Sequence, residues 1–115
     1  TAGLKGYAYT SAYTAAKHGA VGLTRAVALE VACSGITANA ICPGFLDTEM
    51  TEASIANIVS RTDMNEQQAH DELAKHNPQK RLIAPEEVAA AVLWICGKGS
   101  EGINGQAIPI AGGEL

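Results

Sequence analysis

Gly35-Ile36-Thr37-Ala38-Asn39-Ala40-Ile41-Cys42-Pro43-Gly44 is the stretch on which the fold turns. Ile36 to Cys42 is short, mostly apolar, and bounded by a glycine on one side and Pro-Gly on the other. Such a short, mostly apolar run reads as a buried strand, expected in a parallel sheet. Pro43-Gly44 breaks the strand at its carboxyl end. In open α/β sheets ligands bind just beyond the carboxyl ends of strands. Phe45-Leu46-Asp47-Thr48 therefore falls where a ligand would sit.

Upstream, Ser11 to about Ala32 reads as one long helix, with Thr10 or Ser11 placed to cap it through a hydroxyl. Ala12, Ala15, Ala16, Ala20, Leu23, Val27, Ala28 and Val31 are its expected inward positions. Gly19 and Gly22 each cost about 1 kcal/mol of helix stability against alanine, which implies close approach of another backbone. Gly35 fits a carboxyl-terminal cap. A long helix feeding directly into a buried strand is an α/β signature. Thr1 to Tyr9 has no period and reads as a loop.

Downstream, Glu49 to Ala84 is more polar. A helix is expected over Glu49–Ser60, with Met50, Ala53, Ile55 or Ile58 inward. Another is expected over Asn65–His76, capped by Asp63 or Asn65, with Ala69 and Leu73 inward, and Asn77-Pro78 ends it. A polar excursion of this length beside a ligand position reads as a lid. Pro85-Glu86-Glu87 is a strong helix start, with proline in the first turn and acids on the helix dipole. Val88, Ala89, Val92, Leu93 and Ile95-Cys96 give that helix an apolar face, and Gly97 and Gly99 end it. Gln106-Ala107-Ile108-Pro109-Ile110 reads as a second short strand, at a sheet edge because Pro109 cannot donate to a ladder.

Tyr13 and Lys17 carry the chemistry. Positions i and i+4 are stacked neighbours on one helix face, so phenol and ammonium point the same way. A cation beside a tyrosine stabilises the phenolate, which makes the pair a plausible acid/base device. The same spacing also occurs on ordinary solvated helix faces. Cys33, Cys42 and Cys96 are widely spaced and read as buried free thiols of a reducing cytoplasm. His18, His70 and His76 lack paired ligand spacing, so no metal site is expected. The net charge of −4, with no Lys/Arg cluster, argues against nucleic acid or an anionic membrane surface as partner. No apolar run is long enough to span a bilayer. The charged share is only 17%, and much of the rest is Ala and Gly, so surface is committed to burial, against a second subunit among other candidates.

In this order the motifs resemble the short-chain dehydrogenase/reductase family. Tyr13-x-x-x-Lys17 with His18-Gly19, Gly35 to Gly44, Phe45-Leu46-Asp47-Thr48, Pro85-Glu86-Glu87-Val88, and Asn104-Gly105-Gln106 followed by Gly112-Gly113 all fall in register. The resemblance spans the whole chain. It implies the carboxyl-terminal half of a Rossmann-like doubly wound parallel sheet, with two strands, long helices and a helical lid. It also implies hydride transfer between NAD or NADP and a secondary alcohol or ketone. By position, Tyr13 is the acid/base and Lys17 binds the nicotinamide ribose. Pro43, Gly44, backbone near Leu46, and Thr48 would face the nicotinamide end, with Thr48 on its carboxamide. A homo-oligomer, dimer or tetramer, is implied through the Tyr13 helix and the helix from Glu86.

Residues 1–115 are accordingly read as the carboxyl-terminal part of a single domain, with the amino-terminal dinucleotide-binding half absent. The family's catalytic serine would fall just before Thr1. No G-x-x-x-G-x-G occurs. The chain by itself is expected to be inactive, and a non-catalytic fragment or oligomerisation module is the alternative. Within the family, Ala-Ala-Lys-His-Gly and Ile-Cys-Pro-Gly-Phe are similar to 3-hydroxybutyrate dehydrogenases and 3-oxoacyl-thioester reductases. The former hold a substrate carboxylate at positions that are Thr10 and Ala2 here, and neither can pair with a carboxylate. A 3-oxoacyl thioester or another neutral ketone is the expected substrate.

Overall fold

From Ser11 onward the chain has no proline for many residues and is rich in alanine. In the computed structural model, which describes every residue from Thr1 to Leu115, this segment forms one uninterrupted helix. It is α1 (Ser11–Val31), followed by β1 (Ala40–Pro43), α2 (Glu49–Arg61), α3 (Glu66–Ala74), α4 (Pro85–Ile95) and β2 (Ala107–Ile110). The expected α/β order holds throughout.

β1 and β2 pair in parallel, from Ala40 opposite Ala107 to Pro43 opposite Ile110. A parallel pair cannot be closed by a tight turn, so the segment between the strands must be a crossover. β1 starts later than the expected Ile36, because side-chain amides take over the backbone pairing there. Asn104 Oδ1 accepts from Ala38 N at 2.9 Å, and Asn39 Oδ1 accepts from Gln106 N at 3.0 Å. Asn39 Nδ2 donates to Ile103 O at 2.7 Å. Asn104 Nδ2 donates to Ala28 O at 2.9 Å, which fastens α1 to the head of the sheet. Gln106 O and Ile110 O accept from Ala40 N and Gly44 N, so the alternate residue Pro109 turns its missing donor to the outer edge.

The polar excursion is a helical hairpin with a closed base. Leu46 and Ile83 form a parallel bridge, with Asp47 N donating to Ile83 O and Ile83 N to Phe45 O, each at 2.9 Å. Asn65, not Asp63, caps α3 through a reciprocal capping box with Gln68. Ala69 is fully buried in the hairpin and Leu73 half-buried, while Met50 and Ala53 face outward. Ile55 and Ile58 are half-buried. The turn after α3 is anchored on the loop after β2. Gly112 has φ +58, and a Cβ there would lie 1.9 Å from Asn77 Oδ1, so only glycine fits. Asn77 itself is buried and bonded to Arg81 O and Gln79 N.

Several expected contacts are not made within the chain. Of the α1 positions read as inward, Ala28 is buried while Ala12, Ala15, Ala16, Ala20 and Leu23 are exposed; Val21 is the other buried residue of the helix. Nothing lies within 4 Å of a Cβ built on Gly19 or Gly22, so no backbone approaches them here. No residue of α4 is buried, and Leu93 and Trp94 are exposed. Cys33 and Cys96 are exposed, and only Cys42 is a buried thiol. Neither hydroxyl caps α1: Thr10 Oγ1 donates to Tyr7 O instead. The α1 C-cap is Ala32, and Gly35, with φ +74, turns the chain toward β1. The physical reason is common to the helix faces. Two strands offer too little sheet to cover them, and the radius of gyration is 16.4 Å where a compact chain of this length has about 13 Å.

Replacing Asn104 by alanine is expected to destabilise the chain by about 1–3 kcal/mol in urea unfolding, since Ala28 O and Ala38 N lose their partner. α4 has a pH signature of its own. Glu87 accepts both Arg81 guanidinium nitrogens, at 2.6 and 2.7 Å, and also Ala84 N. The Arg81 hydrogen bonds and then the Ala84 amide lower its pKa from 4.5 to about 2. A carboxylate with a depressed folded pKa contributes stability above its unfolded value and loses it on acidification. Thermal unfolding is therefore expected to lose stability from pH 4.5 towards pH 2, and Glu87→Gln to flatten that part of the profile.

Candidate active site

Tyr13 and Lys17 sit on successive turns at the amino end of α1. The Lys17 Nζ lies 5.3 Å from the Tyr13 ring centroid, within cation–π range. Tyr13 is 58% exposed, so its hydroxyl is available to a ligand. Both side chains line a cleft of about 240 Å³, together with Gly3, Val21, Cys42 and Pro43. The cleft thus joins the α1 face, the first loop and the carboxyl end of β1. The cleft reaches the carboxyl end of β1 at Cys42 and Pro43, while Phe45 to Thr48, the stretch expected to meet a ligand, lie beyond its lining.

The first loop is pressed onto α1 at Lys17. A Cβ on Gly3 would lie 2.8 Å from Val21 Cγ2 and 2.9 Å from Lys17 O. Gly44 N donates to Ile110 O at 3.0 Å, which continues the strand pairing past Pro43. Phe45 O and Asp47 N are committed to Ile83. By alternation Leu46 faces the other way; its carbonyl accepts the Thr51 hydroxyl, and its N–H is directed away from the bridge. Thr48 is the N-cap of α2, with extended backbone, and its side chain makes no capping bond. Tyr13, Lys17 and Pro43 share the cleft; Gly44, Leu46 and Thr48 lie on the segment leaving it and do not line it.

The donors that would suit the nicotinamide end of a dinucleotide are the Lys17 ammonium in the cleft and, on the segment leaving it, the Leu46 N–H, uncommitted to the bridge, and the Thr48 hydroxyl, not spent on capping. For the pyrophosphate there is no matching glycine-rich turn between a strand and a helix in these residues.

Sequence reading missed a second cluster next to this one. Glu114 Oε1 accepts from Tyr7 Oη at 2.5 Å and from Lys5 Nζ at 2.9 Å, and its side chain is 3% exposed. Burial alone would raise the Glu114 pKa, but hydrogen bonds from Tyr7, Lys5 and Thr1 outweigh it and hold the carboxyl below its ordinary value. Burial, reinforced by the Glu114 hydrogen bond, pushes the Tyr7 phenol up to about 12. The Tyr7 ring stands edge-on to Phe45 and to His76, and Phe45 and His76 stack at 4.9 Å. The end of the helical hairpin therefore rests on the residue that follows Pro43-Gly44. Tyr7 and Glu114 are 107 positions apart, so no local pattern links them.

A family model described as enoyl-(acyl carrier protein) reductase matches residues 1–114. The chain is 36% identical over 113 residues to a putative ketoacyl reductase of Streptomyces coelicolor, covering 98% of this chain and 43% of the relative. It is 41% identical over 112 residues to a D-beta-hydroxybutyrate dehydrogenase of Rhizobium meliloti, covering 96% and 43% respectively. A crystal structure of an actinorhodin polyketide ketoreductase variant with NADPH superposes with a TM-score of 0.89 at 35% identity, over 97% of this chain and 43% of that one. The chain thus spans less than half the length of these relatives.

The tight seat of the first loop is testable by overpacking it. Gly3→Ala is expected to cost about 1–3 kcal/mol in denaturant unfolding, because the new methyl meets backbone at Lys17.

Proposed function

The chain belongs to the short-chain dehydrogenase/reductase family, and on that premise we propose that it is the carboxyl-terminal half of one NAD- or NADP-dependent oxidoreductase domain. The reaction is reduction of a ketone to a secondary alcohol, or its reverse. The observation that carries this reading is the Tyr13–Lys17 pair on the cleft at the carboxyl end of β1.

Tyr13 Oη hydrogen-bonds the substrate oxygen and gives it a proton in the reductive direction, taking one back in oxidation. The ammonium of Lys17 offsets the negative charge left on the phenolic oxygen. Lys17 would also bind the nicotinamide ribose, and the Leu46 N–H and Thr48 hydroxyl would hold the carboxamide beside Pro43-Gly44. A nicotinamide held there would supply or accept the hydride at the substrate carbon. The α2–α3 hairpin covers the site as a lid, hinged where Leu46 meets Ile83.

For the substrate we propose a neutral ketone of the 3-oxoacyl class. Thr10 and Ala2 offer no cation for a carboxylate, and the nearby Lys5 is already paired with Glu114. The exposed apolar side chains Leu23 and Leu29 on α1, and Leu93 and Trp94 on α4, support a homo-oligomer, dimer or tetramer. No helix is long and apolar enough to cross a membrane. The unpaired thiols of Cys33, Cys42 and Cys96 favour the cytoplasm.

In the complete polypeptide that carries these residues, Tyr13→Phe is expected to lower kcat by about 10²–10⁴ while leaving the melting temperature unchanged, since the lost hydroxyl is exposed. Turnover equal to the unsubstituted enzyme would sink the reading. Residues 1–115 alone are expected to give no turnover of a 3-oxoacyl thioester with NADH or NADPH. Measurable turnover by that chain would show that the missing dinucleotide loop is not needed.

A further inference from the structure

The buried cluster around Glu114 plays no part in the mechanism above, yet it joins all the pieces of the site. The Glu114 carboxylate is held by Lys5 and Tyr7 from the first loop. On its other side, Oε2 lies 3.3 Å from the place a Gly44 Cβ would occupy, and Ala111 is as close. Gly44 therefore has no side chain where the carboxylate sits. From Lys5 and Tyr7 the loop runs back to Gly3, where an added Cβ would collide with Lys17 O and Val21. Tyr7 continues forward to the amino end of α1, where Thr10 Oγ1 donates to Tyr7 O. Lys5 and Tyr7 bond Glu114 directly, the chain joins them to Gly3, and neither Gly3 against Lys17 nor Gly44 against Glu114 leaves free space for a side chain.

We infer that Glu114 is a positioning residue that sets the Tyr13–Lys17 end of α1 against the Pro43-Gly44 turn. Placement by a charged group is demanding here. A buried carboxylate must keep its donors, so the loop cannot drift without stranding a charge. Its removal leaves Lys5 without its ion-pair partner and Tyr7 with only the Thr1 hydroxyl to bond, and the loop under Lys17 loosens. Misplacement of reacting groups by about an ångström costs up to about a hundredfold in rate. The inference rests on the oxidoreductase reading of the site, but the contact itself does not.

The test uses the complete polypeptide with Glu114→Gln, Glu114→Asp, Tyr7→Phe, and the Glu114→Gln/Tyr7→Phe pair. Steady-state kinetics with a 3-oxoacyl thioester and NADPH or NADH are measured alongside amide hydrogen exchange. Expected for Glu114→Gln are a kcat lowered about ten- to a hundredfold and a ketone KM within about twofold. Glu114→Asp restores part of kcat. The double variant is no worse than Glu114→Gln alone, since both cut the same bond. Exchange quickens at Gly3 to Tyr7 and at Gly44 but not in α2 or α3. An unchanged kcat overturns the inference, as does faster exchange spread through α2 and α3, which marks general destabilisation. If the unsubstituted protein reduces nothing, the oxidoreductase reading falls instead, and the exchange pattern alone decides whether Glu114 holds the loop.

Discussion

Everything in this chain hangs on one short parallel pairing, Ala40–Pro43 against Ala107–Ile110. Parallel strands need a crossover, so the helices between them are an obligatory consequence of that pairing rather than an addition to it. The pairing is also short, and its ends are held by side chains. Asn39 and Asn104 exchange hydrogen bonds with Ile103, Gln106, Ala38 and Ala28 where the ladder stops. Asn104 is the more consequential of the two, because its amide reaches α1 as well as β1. A residue in a turn thereby decides how the helix with Tyr13 and Lys17 is set relative to the sheet.

The same brevity explains the exposed helices. A helix with an apolar face is stabilised mainly by what it covers. Here α1 buries Val21 and Ala28, and α4 buries no residue. Leu29, Leu93 and Trp94 carry apolar area that two strands cannot reach. The relatives are more than twice as long as this chain, and their matching portion is the part present here. Apolar faces on α1 and α4 are thus surfaces fit for further sheet or for a second copy, and the low charge content of the chain agrees with either.

Around the cleft, local and long-range constraints divide the work. Tyr13 and Lys17 are placed relative to each other by helix geometry alone. Pro43, Gly44, Leu46 and Thr48 are placed by how the chain leaves β1 and how Ile83 returns to close the hairpin. The hairpin is held at its base, by the Leu46–Ile83 bridge, by Asn77 against Gly112 and by His76 on Phe45.

The sequence by itself determined the order of elements, the Tyr13–Lys17 spacing, the two candidate caps of α3, the start of α4 at Pro85 and the parallel character of the pairing. These are local: helix periodicity, proline, glycine and capping chemistry act over a few neighbours, so they are legible in the chain. Only the tertiary structure decided that β1 begins at Ala40, that Thr10 serves Tyr7 rather than α1, that Met50 faces outward, and that Cys33 and Cys96 are exposed. It also decided the Glu114 cluster, which links Lys5 and Tyr7 to the far end of the chain. Burial and the pairing of a charge depend on which distant segments share a volume. No spacing within a single segment encodes that, and so the partners of Glu114 could not be read from the chain while those of Tyr13 could.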